Sequence, residues 1–184
     1  INGMGRIGRL TLRQLVKVPH LRVVAVNDLT DAATMAHLLK YDTVHGRADF
    51  PVGSEGDFLL LDGQRIRVCA EPDPDAVPFG ALGAELVLEC TGTFTRRSEA
   101  ASHLRDGVGH VLISDASPDA DRTVIMGVNE GTLDPDRDRI ISAASGTAIC
   151  LAPLVKVLDE AFGLDQGFVT AVHSYTNDQR ILDL

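Results

Sequence analysis

Ile1-Asn2-Gly3-Met4-Gly5-Arg6-Ile7-Gly8 opens the chain, and Leu21-Arg22-Val23-Val24-Ala25-Val26-Asn27-Asp28 follows it after one helix-like stretch. The first segment is G-x-G-x-x-G between what reads as the end of a strand, Ile1-Asn2, and the start of a helix, Ile7 to Val18, stopped by Pro19. The second is short, apolar and rich in β-branched residues, as a buried strand is. Glycines at that spacing permit a tight turn, a close approach of backbone to a diphosphate, and a helix packed hard on its strand. The helix start adds unpaired N–H groups and the positive end of a dipole. Asp28 stands 20 residues after Gly8, at the end of the next strand, where a carboxylate can accept from both ribose hydroxyls. It would also repel an added ribose phosphate, so NAD is favoured over NADP. Three glycines alone make only a turn; in register with Asp28 they indicate a dinucleotide site.

Outward from this stretch, strand-like and helix-like segments alternate, the mark of βαβ units on a parallel sheet. A helix is expected after Asp31, with Met35, Leu38 and Leu39 on one face. Phe58-Leu59-Leu60-Leu61, Asp62-Gly63 and Gln64 to Val68 read as an antiparallel hairpin, because Asp-Gly is a strong two-residue turn signal. Further strands are expected at 85–89, 110–114, 123–128, 139–142 and 168–174, with helices at 98–104 and at 147–162, the last closed by Gly163. The fold class that follows is α/β. It is a doubly wound, mostly parallel Rossmann sheet with an inserted hairpin over residues 1–146, its first strand cut short, and the opening of an α+β catalytic domain over 147–184. Thr91-Gly92 and Ser114 fall at carboxyl ends of strands, where such sheets keep their ligand crevice.

Composition narrows the function. In 184 residues, 45% are hydrophobic and 23% charged, enough apolar material for a packed core. With 17 basic against 26 acidic residues the net charge is −9, which argues against a coat for nucleic acid or an anionic membrane. No apolar run reaches the roughly 18 residues of a spanning helix. Cys69, Cys90 and Cys150 are too widely spaced for a disulfide framework or a metal knuckle, and His20, His37, His45, His103 and His110 show no metal-ligand spacing. A cytoplasmic enzyme or binding domain is expected, without a metal. The chain starts at Ile1 without an initiator methionine and stops at Leu184, so it reads as a piece of a longer sequence.

Longer segments carry a resemblance. Asn2 to Arg9, Val26 to Arg47 (VNDLTDAATMAHLLKYDTVHGR), Glu89 to Phe94 (ECTGTF), Met126 to Glu130, Cys150 to Gly163 and Val172 to Leu184 (VHSYTNDQRILDL) together resemble phosphorylating glyceraldehyde-3-phosphate dehydrogenase. The resemblance implies a homotetramer that uses NAD in glycolysis to oxidise an aldose phosphate through a cysteine thioester, which inorganic phosphate then cleaves. It places Gly3, Gly5, Arg6, Ile7 and Gly8 on the diphosphate loop, Asp28 on the adenosine ribose, and Thr91, Gly92 and Ser114 beside the nicotinamide. It places His173 as general base, Ser145 and Thr147 at the attacking phosphate, and Thr176 and Asp178 near the substrate's phosphate. Tyr41-Asp42 and His45-Gly46-Arg47 fall on structural and interface positions.

The catalytic loop departs from that family. Where its signature is similar to S-N-A-S-C-T-T-N-C, this chain reads Ser142-Ala143-Ala144-Ser145-Gly146-Thr147-Ala148-Ile149-Cys150, so Gly146 holds the nucleophile's place. Thioester formation needs a thiolate there, and glycine has none. Cys150 lies one turn farther along the expected helix and reads as a buried core cysteine rather than a substitute. Ala143, Ala148 and Ile149 also replace polar residues, Pro72 stands where an arginine is usual, and Asp115 adds a carboxylate beside Ser114. Cofactor binding with lost thiol chemistry is the expected outcome. A non-catalytic NAD-binding or assembly subunit is the alternative, and an erythrose-4-phosphate dehydrogenase relative is the weaker third reading.

Overall fold

The computed structural model describes residues 1–174. Its strands in chain order are β1 (Ala25–Asn27), β2 (Tyr41–Asp42), β3 (Gly46–Arg47), β4 (Val52–Glu55), β5 (Phe58–Leu61), β6 (Gln64–Cys69), β7 (Leu86–Glu89), β8 (His110–Ile113), β9 (Arg122–Thr123) and β10 (Ile140–Ser142). The helices are α1 (Arg6–Leu15), α2 (Ala32–Lys40), α3 (Arg97–Ala100) and α4 (Gly146–Phe162). β2 and β3 form a small separate ladder.

The main sheet runs β4-β5-β6-β1 on one side and β7-β8-β10-β9 on the other. Asn2 joins the halves, bridging in parallel to Asn27 and to Glu89. Ile1-Asn2 is therefore the central strand position, with chain order reversing on either side of it, as in a doubly wound sheet. β1 and β6 pair in parallel, as do β7, β8, β10 and β9, while β4, β5 and β6 form the antiparallel insertion. Asp62 (φ 48°) and Gly63 (φ 78°) both take left-handed backbone, the two-residue turn whose twist matches the strands it joins.

Strands β1 and β7 carry apolar residues into cores on both faces of the sheet, whereas β6 alternates Arg65 and Arg67 with buried Ile66 and Val68. Val26 and Val68 point into one core with Leu12, Met35, Leu39, Leu59, Leu61 and Ile66. Their neighbours Ala25 and Cys69 point into the other, with Val77, Phe79, Val87, Val111, Ile113 and Ile140. Asp31 caps α2 by accepting from the Thr34 amide at 2.9 Å, and the buried stripe of that helix is Ala32, Met35, Ala36 and Leu39, while Leu38, expected on the same face, turns outward and is exposed.

Four expectations need correction. The strand expected at 123–128 is reduced to Arg122–Thr123, because Asn129 takes over the backbone beyond it. Its Oδ1 accepts from the Ile125 amide at 2.7 Å and its Nδ2 donates to the Thr123 carbonyl at 3.0 Å, bending the segment into turns. Residues 168–174 carry no strand; Phe168 is 101% exposed and Val172 93%, and no described strand lies alongside to complete a ladder. Pairing in the LRVVAV stretch starts only where β6 arrives, with the Arg67 amide on the Val24 carbonyl at 3.1 Å. The helix expected at 98–104 divides into α3 and one tighter turn, Ala101–His103.

Candidate cofactor site

The glycine loop grows from the central strand position. The Gly3 amide donates to the Asn27 carbonyl at 2.8 Å and the Cys90 amide to the Asn2 carbonyl at 2.7 Å, so the loop leaves the sheet pinned to β1 and β7. Gly3 then turns with φ 87°, and a Cβ there would lie 2.7 Å from the Thr91 nitrogen. A Cβ on Gly8 would lie 2.0 Å from the Gly3 carbonyl oxygen, so only hydrogen fits where α1 crosses the loop. Gly5 differs: nothing lies within 4 Å of a Cβ added there. It starts α1 without a side-chain cap, leaving the first-turn N–H groups for a ligand. Arg9 steadies the turn by donating from Nη1 to the Met4 carbonyl at 2.8 Å.

Asp28 faces the same loop. Its Oδ2 accepts from the Met4 amide at 2.7 Å and its Oδ1 from the Thr30 amide at 3.1 Å. Each oxygen keeps a lone pair for a ribose hydroxyl, so Asp28 both shapes the loop and remains able to accept. Beside it opens a crevice of about 280 Å³ between the ends of β1 and β7, its walls including Asp28, Leu29, Glu71, Pro72, Thr91 and Phe94. The residues present fit a dinucleotide: glycine backbone that admits no side chain, a free helix start, an accepting carboxylate and a crevice at the sheet's reversal point.

Of the residues expected from sequence, Gly3, Asp28 and Thr91 line this crevice. Gly5, Arg6, Ile7 and Gly8 form the loop and the first turn of α1. Gly92 follows Thr91 on the exposed side, and Ser114 stands at the end of β8, its amide on the Glu89 carbonyl at 2.9 Å. Burial pushes the adjacent Cys90 thiol up, opposed by a hydrogen bond with the Ser114 side chain.

Behind the lining residues Asn2 and Thr91 lie groups that the glycine pattern did not reveal. Glu89, 2% exposed, receives Asn2 Nδ2 at 2.6 Å and His103 Nε2 at 3.1 Å on one oxygen. Its other oxygen receives the Thr91 amide at 2.8 Å and the Thr91 hydroxyl. Burial pushes the Glu89 carboxyl up, but the bonds from His103, Thr91 and Asn2 outweigh it and hold the group below its ordinary range. A donating His103 Nε2–H leaves Nδ1 buried without a partner. The available signal was a lone carboxylate closing the apolar run ELVLE, and polar Asn2 and Asn27 ending buried strands.

The loop that departs from the family's signature lies at the same carboxyl edge of the sheet, after β10. Ser142 Oγ donates to the Asp115 carbonyl at 2.7 Å and accepts from the Ala144 amide at 3.1 Å. Ser145 caps α4, accepting from the Ala148 amide at 3.2 Å, and Thr147 follows in the first turn. Gly146 is the exposed first helical residue, and no atom lies within 4 Å of a Cβ added to it. Cys150 is exposed, correcting the expectation of a core cysteine: α4 has no buried residue in the described chain. His173 is not brought to Gly146 by any described hydrogen bond; its Nδ1 lies 3.1 Å from the Ser174 carbonyl. Thr176 and Asp178 lie outside the described residues.

Fold and site together define an α/β protein with an NAD-binding domain. Residues 1–97 match the family model for the glyceraldehyde 3-phosphate dehydrogenase NAD binding domain, and residues 145–184 match that for the glyceraldehyde 3-phosphate dehydrogenase C-terminal domain. The chain belongs to the glyceraldehyde 3-phosphate dehydrogenase family. All 184 residues align at 54% identity with glyceraldehyde-3-phosphate dehydrogenase of Geobacillus stearothermophilus, covering 55% of that protein. Identity is 51% to glyceraldehyde-3-phosphate dehydrogenase 1 of Bacillus subtilis and 50% to the enzyme of Streptomyces coelicolor, each aligned over the whole chain and 55% of the relative. The chain thus spans about half the length of the curated relatives it matches.

Proposed function

We propose that this chain is the NAD-binding part of a glycolytic, phosphorylating glyceraldehyde-3-phosphate dehydrogenase that retains cofactor binding and has lost its thiol chemistry. One contrast carries the reading. The loop in which Gly8 admits no Cβ is intact around Asp28, while the helix start at Gly146 offers open space and no sulfur. Bound NAD would supply the acceptor for a hydride leaving the substrate carbon. Gly3, Gly5, Arg6, Ile7 and Gly8 would hold the diphosphate, Asp28 the ribose, and Thr91, Gly92 and Ser114 the nicotinamide side. Ser145 and Thr147 would meet inorganic phosphate, Thr176 and Asp178 the aldose phosphate, with His173 as the base. Residues 1–146 would form the cofactor domain and 147–184 the opening of the catalytic one, in a cytoplasmic homotetramer.

An attacking thiolate at position 146 would gain from the helix start, which lowers a thiol's pKa. Glycine leaves His173 with no proton to take and no atom to carry an acyl group. A non-catalytic NAD-binding or assembly subunit is the second reading, favoured by a loop whose cap and turn are complete without the thiol. Titration with NAD⁺ should give binding on the order of micromolar to millimolar. With aldose phosphate, NAD⁺ and phosphate, protein carrying Gly146 should produce no NADH and no acyl adduct. Robust turnover, or an adduct on Cys69, Cys90 or Cys150, would overturn the loss of thiol chemistry. Gly146→Cys should restore an alkylatable thiol without disturbing the fold; turnover by that variant selects the enzyme reading, and its absence makes Ala148 and Ile149 the next losses to reverse.

A further inference from the structure

Four side chains cross beneath the crevice as one hydrogen-bonded line. Thr91 donates its amide to Glu89, and Thr93 donates its own to the Thr91 hydroxyl at 3.1 Å, which fixes one wall. Glu89 receives Asn2 at 2.6 Å, and Asn2 Oδ1 receives Asn27 Nδ2 at 2.8 Å. Asn27 then takes the Glu71 amide on Oδ1 and gives Nδ2 to the Glu71 carbonyl, both at 2.9 Å, which fixes the opposite wall. Asn2, Asn27 and Glu89 are 2%, 5% and 2% exposed. Each carboxamide is oriented by its neighbour, and the direction of the line is fixed at both ends, by the Glu71 amide and carbonyl on Asn27 and by an acceptor beside Asn2 that cannot donate. That acceptor is the Glu89 carboxylate, which takes four donors on two oxygens.

We propose that Glu89 is a positioning residue for the dinucleotide: through Asn2 and Asn27 on one side and Thr91 on the other, it sets the spacing of the crevice walls. His103, buried against Glu89 with its ring tilted on Phe79, holds the carboxylate from behind. The proposal rests on reading the crevice as the dinucleotide site. Glu89→Gln leaves one acceptor oxygen where the line needs two, so one wall must lose its anchor. The double exchange Asn2→Asp/Glu89→Gln swaps the two groups and restores the match. The amide introduced on β7 would donate where the Asn2 side chain did. The carboxylate introduced in its place would still accept from Asn27, and His103 Nε2 already lies 3.5 Å from the Asn2 side-chain nitrogen.

The test compares parent, Glu89→Gln and the double exchange Asn2→Asp/Glu89→Gln in this chain, by NAD⁺ titration and by amide hydrogen exchange. Glu89→Gln should weaken NAD⁺ binding about tenfold or more, the double exchange returning it to within about threefold of the parent. The amide of Thr91 or of Glu71 should exchange faster in the single variant and recover in the double one, while amides of the β4-β5 hairpin stay unchanged. Unaltered binding in the single variant, or no recovery in a folded double variant, overturns the proposal. So does failure of both variants to fold, which would assign Glu89 to the fold itself. If the parent binds no NAD⁺, the dinucleotide reading fails, and amide exchange alone still decides whether Glu89 positions the walls.

Discussion

At the scale of single residues, the site is decided by where a carbon atom fits. Gly8→Ala would drive a methyl group to 2.0 Å from the Gly3 carbonyl oxygen, which the packed loop cannot yield. It should cost about 1–3 kcal/mol of stability, as overpacking does. Gly5→Ala meets no atom within 4 Å and should melt as the parent does, yet bind NAD⁺ more weakly, because that space adjoins the uncapped start of α1. Thermal melts and NAD⁺ titrations of the two variants check the contrast; equal behaviour would remove the distinction between a packing glycine and a ligand-facing one. The glycine turn was legible because a helix packed hard on its strand demands glycine at fixed intervals, as the crowding at Gly3 and Gly8 shows. Glu89 and His103 were not, since a carboxylate and a histidine 14 positions apart meet only after β7 and the Ala101–His103 turn are packed.

At the scale of elements, local chemistry was readable wherever the element completes itself. Asp62-Gly63 sets the hairpin with both residues in left-handed backbone, so Gly63→Ala should destabilise by about 1 kcal/mol or more, measured by urea unfolding. Ser145 closes α4, and Ser145→Ala should cost about 1 kcal/mol by leaving the Ala148 amide uncapped. Helix α2 was equally plain from Asp31, Met35 and Leu39, though its stripe is completed by Ala32 and Ala36 and not by the exposed Leu38. Residues 123–128 misled because β-branched residues signal a strand only if neighbours take up the backbone, and here Asn129 intercepts it. For 168–174 the alternation was genuine in sequence, but no described strand lies beside it, and a ladder needs two sides. Cys150, expected in the core one turn along the helix, is exposed for a related reason: no residue of α4 is buried among the described residues.

At the scale of the whole molecule, two properties follow from charge and apolar exposure. Glu89 is held below the ordinary glutamate range, so its ionised form stabilises the folded state above that range, and the contribution is lost as pH falls through the depressed folded value. The stability gap between parent and Glu89→Gln should therefore be widest near neutrality and narrow below about pH 4.3, the usual glutamate value, in urea unfolding at a series of pH values. A gap constant with pH would mean that the side chain acts through shape alone.

The second property is an apolar surface exposed among the described residues, set against a net charge of −9. On α4 and the segment after it, Leu154, Val157, Phe162, Phe168 and Val172 are 59%, 63%, 80%, 101% and 93% exposed. Scattered apolar residues are ordinary on a protein surface, but a run this dense along one helix and its continuation favours association or dye binding. The chain in isolation should bind a hydrophobic dye and melt below about 45 °C. Added salt discriminates the cause. Mutual repulsion among the acidic chains weakens as the charges are screened, while apolar attraction persists, so association followed by light scattering should rise with salt. Association that instead dissolves with salt would point to ion pairs between chains. A monomer that binds no dye and melts cooperatively above about 45 °C would show that this face is covered in solution.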